Sequence, residues 1–212
     1  MGQIPSKEEM RRVLEERHGK LMQDKFDKAT VAICGLGGLG SNIAVSLARA
    51  GVGTMILIDF DRVDISNLHR QQYKADQIGE SKTEALAANI KEIAPYVKTI
   101  THTVRITADN YAELLGQADI VCEAFDNPEA KAMLVNGVLK TMPDTYLVAA
   151  SGMAGMGPAN DIKTRKVTER FYLCGDEVSD VADGMGLVSS RVMLCAAHQA
   201  HAVLRILSKS EL

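Results

Sequence analysis

Three glycines in this chain have the spacing that brings a polypeptide backbone close to phosphate. Gly35, Gly37 and Gly40 form the pattern G-x-G-x-x-G directly after the apolar run 30–34 and at the start of a helical pattern over 38–50. Glycines permit a tight turn and a close approach of backbone N–H groups, and the helix N-terminus adds about half a positive charge. The segment predicts a phosphate-binding turn, but it does not distinguish a dinucleotide from a mononucleotide.

An acidic residue follows at the distance expected for a ribose contact. Asp59 comes directly after the apolar run 54–58, 19 residues (59 − 40) beyond Gly40. Proteins with this glycine pattern use an acid about 20 residues further on to accept hydrogen bonds from ribose hydroxyls. These two features predict a nucleotide site, and an NAD-dependent oxidoreductase fits them as well.

The residues beyond Asp59 favour a triphosphate over a dinucleotide. Asn67, Arg70 and Lys82 are suited to surround phosphates, because arginine forks onto phosphate oxygens and lysine acts as a point charge. The positions of Gly79 and Lys82 do not match the P-loop pattern, so a Walker-type site is not predicted.

A second acid is expected at the same edge of the sheet. Asp126 follows the apolar run 119–122, which places it at the carboxyl end of a parallel strand beside the glycine turn. A carboxylate there can hold Mg²⁺ through waters while the metal bridges phosphate oxygens. The alternative is a turn residue with a capping role, since Asn127 and Pro128 follow.

Five motifs in order resemble those of the superfamily of ubiquitin-activating enzymes, which includes ThiF and MoeB. They are GlyLeuGlyGlyLeuGlySer at 35–41, AspPheAsp at 59–61, SerAsnLeuHisArgGln at 66–71, GlyGluSerLysThr at 79–83 and PheAspAsn at 125–127. The short length and the later PheTyrLeuCysGlyAsp resemble the short ThiF-like subgroup. The resemblance implies ATP as substrate and Mg²⁺ held by Asp126. It assigns to nucleotide binding Gly35, Gly37, Gly38, Gly40, Asp59, Asp61, Asn67, Arg70, Lys82 and Asp126.

The resemblance also implies a reaction and partners. The C-terminal glycine carboxylate of a small ubiquitin-like sulfur carrier, ThiS-like and serving thiamine thiazole synthesis, attacks the α-phosphorus of ATP and releases pyrophosphate. Arg70, Lys82 and Asp126 would be catalytic. The alternatives are MoeB-like activation of the molybdopterin carrier, a tRNA-modifying relative, the NAD-dependent oxidoreductase, and a non-enzymatic nucleotide-binding module.

The resemblance also implies a homodimer in which an arginine of one protomer enters the partner's site. Arg17 is the best positional match, although Arg11 and Arg12 are close, and a solvated helix face explains all three equally well.

Cysteine usage separates this chain from longer relatives. They carry two CxxC pairs for zinc, and this chain has neither, so no zinc is predicted. The resemblance implies a sulfur-donor protein as a partner and sulfur transfer through a cysteine that follows the sheet. Cys174 has that position. The neighbouring Asp176 and Glu177 would raise the pKa of this thiol, which weakens a catalytic assignment. Cys34 and Cys122 are expected to be buried small hydrophobes.

The composition limits the class of protein. The 212 residues are 46% hydrophobic and 24% charged with a net charge of −3, which predicts a globular chain without nucleic acid as a primary partner. Dispersed cysteines and the absence of a long apolar run predict a cytoplasmic protein that does not enter membranes.

The pattern of elements must position these residues. Apolar runs at 30–34, 54–58, 97–101, 119–122 and 146–149 alternate with helical patterns at 38–50, 81–93, 107–116 and 127–140. Such alternation predicts a Rossmann-like α/β fold, with a mostly parallel sheet and helices on both faces. We expect one ThiF-like domain over 1–212. It comprises an N-terminal helical arm (1–28, helix over 6–23), a nucleotide-binding core (29–150), and a C-terminal extension (151–212) with an antiparallel hairpin and a final helix.

Overall fold

The computed structural model describes residues 3–209 and contains a seven-stranded sheet with the order β3-β2-β1-β4-β5-β7-β6. All neighbouring strands are parallel except the antiparallel pair β6 and β7. The strands are β1 Thr30–Cys34, β2 Thr54–Ile58, β3 Lys98–His102, β4 Ile120–Glu123, β5 Tyr146–Ala150, β6 Lys163–Thr168 and β7 Phe171–Gly175.

Strand β1 lies inside the parallel part of the sheet, and both of its faces are covered. Its residues Val31 to Cys34 are fully buried, and it pairs with β2 on one side and β4 on the other. The strand order reverses at β1, and in open α/β sheets the crevice outside the carboxyl ends at this switch point is where ligands bind. The glycine turn and Asp126 both follow strands that end there.

Helices cover both faces of the sheet. The larger apolar cluster packs α3, α4 and α7 against one face, and a smaller cluster packs α5 and α6 against the other. The α-helices are α1 Lys7–His18, α2 Lys20–Lys28, α3 Gly38–Ala50, α4 Lys82–Ile93, α5 Tyr111–Leu115, α6 Pro128–Thr141 and α7 Ser189–Ser208. The predicted Rossmann-like architecture is confirmed.

The N-terminal arm contains two helices rather than the single helix predicted over 6–23. Ser6 caps α1 with the expected capping box, but Gly19 has φ +90° and ends the helix, and α2 begins at the next residue. Arg11 holds the two helices together through ion pairs with Asp24 and Asp27.

The C-terminal extension is part of the main sheet. The predicted hairpin is formed by β6 and β7, and β7 joins the sheet by parallel pairing with β5. The final helix, α7, packs against α3 and against β5, β6 and β7. Among residues 3–209, no helix combines the length and apolar character needed to cross a bilayer.

Candidate nucleotide site

The glycine turn joins β1 to α3, and two of its glycines cannot carry a side chain. Gly35 has φ +89°, and a Cβ there would lie 2.8 Å from the carbonyl oxygen of Ala124. A Cβ on Gly40 would lie 1.8 Å from the carbonyl oxygen of Gly35, because the helix passes directly over the strand end. At Gly37 the nearest protein atom would be 3.8 Å away, so the approach to the N-terminus of α3 is open. This geometry suits an anion bound by backbone N–H groups.

Asp59 is buried behind this turn and braces it. Its Oδ2 accepts a hydrogen bond of 2.6 Å from the N–H of Leu36, inside the turn, and its Oδ1 accepts one of 2.8 Å from the N–H of Asp61. The hydroxyl of Tyr73 donates to the carbonyl oxygen of Leu36 at 2.7 Å. Burial, and secondarily the charge of Asp59, raises the pKa of Tyr73, so its hydroxyl remains a donor. The sequence interpretation did not identify Tyr73, because only the tertiary contact reveals its role.

Arg70 and Asn67 meet beside the same turn. The guanidinium of Arg70 donates to Oδ1 of Asn67 at 2.8 Å, while its buried Nε has no partner among the described residues. The Arg70 stem lies over Gly38, where a Cβ would approach its Cγ to 3.4 Å. Asn42 ties the segment down by donating to the carbonyl oxygens of Gly38 and Arg70. The predicted pair is therefore held at the first turn of α3.

Lys82 opens α4 and is paired with an acid of the 59–61 motif. Its Nζ lies 2.9 Å from Oδ2 of Asp61, with the Lys82 side chain 6% exposed and that of Asp61 49% exposed. The structure thus brings together two residues that the sequence places 21 positions apart. The pair places a largely buried cation at the carboxyl edge of β2, with an acidic partner that keeps access to solvent.

Asp126 is exposed in the loop after β4, three residues beyond the last residue of that strand. The N–H of Ala124 donates to the carbonyl oxygen of Cys34 at 2.9 Å, which places this loop alongside the start of the glycine turn. Within residues 3–209, Asp126 forms no hydrogen bond or ion pair. The capping role belongs to its neighbour Asn127, whose side chain accepts from the N–H of Ala130. A free carboxylate is therefore available at the switch point.

A buried ion pair, which the sequence interpretation missed, lies directly behind this loop. Glu123 is fully buried, and its carboxylate contacts Nζ of Lys131 at 2.5 Å and the N–H of Phe125 at 2.7 Å. Burial raises the pKa of Glu123, while Lys131 and the Phe125 N–H oppose that rise. The only signal in the sequence is a glutamate that ends an otherwise apolar run.

Two predicted residues do not join this cluster. Arg17 is exposed in the last turn of α1 and has no ion pair among the described residues, whereas Arg11 is engaged in the arm. Cys174 is fully buried on β7, and burial raises its pKa to about 11. A nucleophilic cysteine needs thiolate character and access, so this environment argues against the catalytic role predicted for Cys174. Cys34 and Cys122 are buried, as predicted.

A groove of about 960 Å³ lies at the carboxyl ends of β5 and β7. An ion pair between Arg191, at the start of α7, and Asp176, after β7, lines the groove, with 2.5 Å between the guanidinium nitrogen and the carboxylate oxygen. Arg191 also donates to the carbonyl oxygens of Gly157 and Pro158, so one side chain joins both loops of the groove. Exposed apolar side chains lie along the rim, namely Met156, Val178 and Met185.

The sheet order, the glycine turn and the polar cluster around it define a Rossmann-like α/β protein with an anion-binding helix N-terminus. The ThiF family model matches residues 10–212, and the chain belongs to the ThiF family.

The curated relatives match this chain over only part of their own length. The chain is 41% identical over 129 residues to "Adenylyltransferase and sulfurtransferase MOCS3" of Caenorhabditis briggsae, covering 60% of this chain and 32% of the relative. It is 37% identical over 106 residues to "Sulfur carrier protein adenylyltransferase" of Thermus thermophilus, covering 50% and 39%. The chain thus spans less than half the length of these relatives.

Solved structures show the same fold. The E. coli tRNA N6-threonylcarbamoyladenosine dehydratase TcdA, in complex with ATP, superposes with a TM-score of 0.87 at 21% identity and covers 98% of both chains. E. coli MccB superposes with a TM-score of 0.72 at 23% identity, over 90% of this chain and 59% of MccB.

Proposed function

We propose that this chain is an ATP-dependent adenylyltransferase that activates the C-terminal carboxylate of a small ubiquitin-like sulfur carrier. The observation that carries the proposal is Arg70, which lies over Gly38 at the first turn of α3 with a buried Nε that lacks a partner among residues 3–209. An unsatisfied cationic donor at a helix N-terminus fits a phosphate group. The names of the relatives from C. briggsae and T. thermophilus support the same activity.

The chemistry is an in-line transfer at the α-phosphorus. A carrier carboxylate oxygen forms a bond to that phosphorus, the bond to the pyrophosphate oxygen breaks, and pyrophosphate leaves with the electron pair. Because no side-chain nucleophile is required, the residues act by positioning and by stabilising charge. The N–H groups of the first turn of α3 would bind phosphate. Asp59 would accept from ribose through the lone pairs that the N–H groups of Leu36 and Asp61 do not use. Arg70 and Lys82 would neutralise charge on the transferred group.

Asp126 would hold Mg²⁺. Its carboxylate is exposed and free of partners in the described part of the chain, and carboxylate oxygens are ligands that Mg²⁺ prefers. When bound, the ion would neutralise charge on phosphate oxygens.

The carrier tail would approach along the groove beside β5 and β7. The nucleotide base and ribose would occupy the side of the site next to Asp59, so the opposite side remains for the attacking carboxylate. The groove lies at the carboxyl ends of β5 and β7, and its rim carries exposed apolar residues that an extended tail can contact. The carrier is proposed to be ThiS-like and to serve thiamine synthesis, with sulfur supplied by a separate donor.

The test is carrier-dependent exchange between ATP and pyrophosphate with Mg²⁺, using ThiS and the molybdopterin carrier side by side. We expect exchange with ThiS, and its loss in Arg70→Ala and in Asp126→Ala. The matched controls are Arg49→Ala and Asp109→Ala, which remove exposed residues of the same types. Full activity of the first two variants would contradict the assigned roles, and exchange with the molybdopterin carrier alone would move the protein to the other pathway.

Two further outcomes identify other functions. ATP binding without exchange on either carrier would overturn carrier adenylation and favour a tRNA substrate or a non-enzymatic role. The TcdA superposition over 98% of both chains is the reason to include tRNA as a substrate in the assay. NADH binding that competes with ATP would favour an oxidoreductase.

We further propose a homodimer in which Arg17 enters the partner's site. Arg17 is exposed and has no ion pair among the described residues, as such a role requires. Mixing Arg17→Ala protein with Asp126→Ala protein should recover part of the activity, because one site of each mixed dimer then contains both groups. Mixing Arg70→Ala with Asp126→Ala should recover none, because both residues belong to the same protomer's site. Equal recovery in the two mixtures would refute the role of Arg17.

A further inference from the structure

Burying the ion pair of Glu123 with Lys131 is energetically unfavourable, and the pair makes further contacts to β5 and to the loop after β4. Glu123 is fully buried at the end of β4, and the Lys131 side chain, from α6, is 27% exposed. Lys131 also donates to the carbonyl oxygen of Ala150, at the end of β5, at 2.9 Å. Buried ion pairs rarely stabilise a fold more than apolar residues of equal volume. Apolar residues of equal volume could therefore pack β4, β5 and α6 together.

A further contact of Glu123, the hydrogen bond that it accepts from the Phe125 N–H, leads to the loop that carries Asp126. The loop is anchored at its start, where the N–H of Ala124 donates to β1, and at its end, where Asn127 caps α6. Between these anchors, the described hydrogen bond to the backbone is the one from the N–H of Phe125 to Oε1 of Glu123, 2.7 Å long. Lys131 contacts the other oxygen and so fixes the carboxylate in the orientation that accepts from Phe125.

We propose that Glu123 is a positioning residue that holds Asp126 in place through the Phe125 N–H, with Lys131 fixing the orientation of its carboxylate. The inference rests on the proposed function, because it assumes that Asp126 holds the magnesium of MgATP. Groups that orient a metal ligand contribute substantially to metal affinity although they never touch the metal. Glu123 would act on Asp126 indirectly, by holding the N–H of Phe125, the residue directly before it.

Two uncharged double variants separate positioning from packing. Glu123→Leu with Lys131→Met replaces the pair by apolar side chains and removes the acceptor for the Phe125 N–H. Glu123→Gln with Lys131→Met is equally uncharged but keeps a carbonyl oxygen that can accept that N–H. The first measurement is hydrogen exchange of the Phe125 amide without nucleotide. We expect faster exchange in the leucine variant and near-native protection in the glutamine variant.

The second measurement is calorimetric binding of ATP with Mg²⁺ and with EDTA. We expect the leucine variant to bind MgATP about 10–100-fold more weakly, the range found when groups that orient a metal ligand are removed, and to bind ATP in EDTA as the wild type does. The glutamine variant should bind ATP more tightly with Mg²⁺ than with EDTA, as the wild type does. Equal amide exchange, or an equal response to Mg²⁺, in the two variants would overturn the positioning role. Failure of the wild type to bind ATP would instead contradict the proposed function, and the exchange measurement would still test the contact to Phe125.

Discussion

Replacing Asp176 by asparagine should destabilise the protein far more than an ordinary charge substitution. The Asp176 side chain is 10% exposed and pairs with Arg191, which is 6% exposed. Burial alone would raise the pKa of Asp176, but hydrogen bonds from the Ser179 and Val178 N–H groups, the Ser179 hydroxyl and Arg191 outweigh it and lower the pKa from 3.8 to about 2. This fall corresponds to about 2 kcal/mol of native-state stabilisation, at about 1.36 kcal/mol per pKa unit.

The expected loss at neutral pH is larger than that figure. Asp176→Asn also leaves the Arg191 charge buried without its partner, and breaking a buried pair from one side costs about 3–5 kcal/mol. The measurement is the free energy of unfolding in urea at pH 7. The control is Glu177→Gln in the neighbouring pair with Arg165, whose side chains are 39% and 52% exposed. The free energy of unfolding of that variant should fall by less than about 1 kcal/mol, because exposed ion pairs contribute little to stability.

The pH dependence of the stability difference between the wild type and Asp176→Asn tests this explanation. A depressed native-state pKa contributes stability that is fully present above the unfolded-state value and is lost as the pH falls through the native-state value. The difference in stability between the wild type and Asp176→Asn should therefore narrow by about 2 kcal/mol as the pH falls from about 5 to about 2. A difference that grows towards low pH, or a loss at pH 7 no larger than that of Glu177→Gln, would refute this reasoning.

Two further predictions concern the turn and the thiols. Gly40→Ala should lower the free energy of unfolding by about 1–3 kcal/mol or more and abolish nucleotide binding, because its methyl group would overlap the Gly35 carbonyl oxygen. In the control, Gly186→Ala, the methyl group would lie in open space, so the free energy of unfolding should stay within about 0.5 kcal/mol of the wild-type value. Urea unfolding and ATP calorimetry check both, and a stable, ATP-binding Gly40→Ala protein would contradict the account of the turn. All four cysteines, Cys174 included, are buried, so a thiol reagent should label the native protein slowly and all four rapidly in urea. A single fast-reacting thiol in the native state, located at Cys174 by mass spectrometry, would reopen its predicted catalytic role.

Elements with a clear local pattern were predicted well. The apolar runs 30–34 and 54–58 and the helical pattern 38–50 match β1, β2 and α3 at both ends. Short apolar runs between turn residues favour a strand buried on both faces, and their length of five residues distinguishes them from helices.

Two predicted helices differ from the structure by several residues, for local reasons. The helix predicted over 107–116 is only Tyr111–Leu115, because the Asn110 side chain bonds the Thr107 N–H and the Arg105 carbonyl oxygen and competes with the helix. The predicted arm helix breaks at Gly19, where a left-handed φ is available without steric cost. In both cases short-range geometry outweighed the periodic pattern.

By itself, the sequence determined the α/β alternation, the glycine turn and the set of polar residues at the strand ends, because these follow from periodicity and from contacts between near neighbours in the chain. Only the tertiary structure decided which charges pair. Lys82 meets Asp61 and Glu123 meets Lys131 because separate strands and helices bring them together, and no local pattern specifies such partners. It also decided that Cys174 is buried, since the exposure of a thiol depends on the elements packed over its strand.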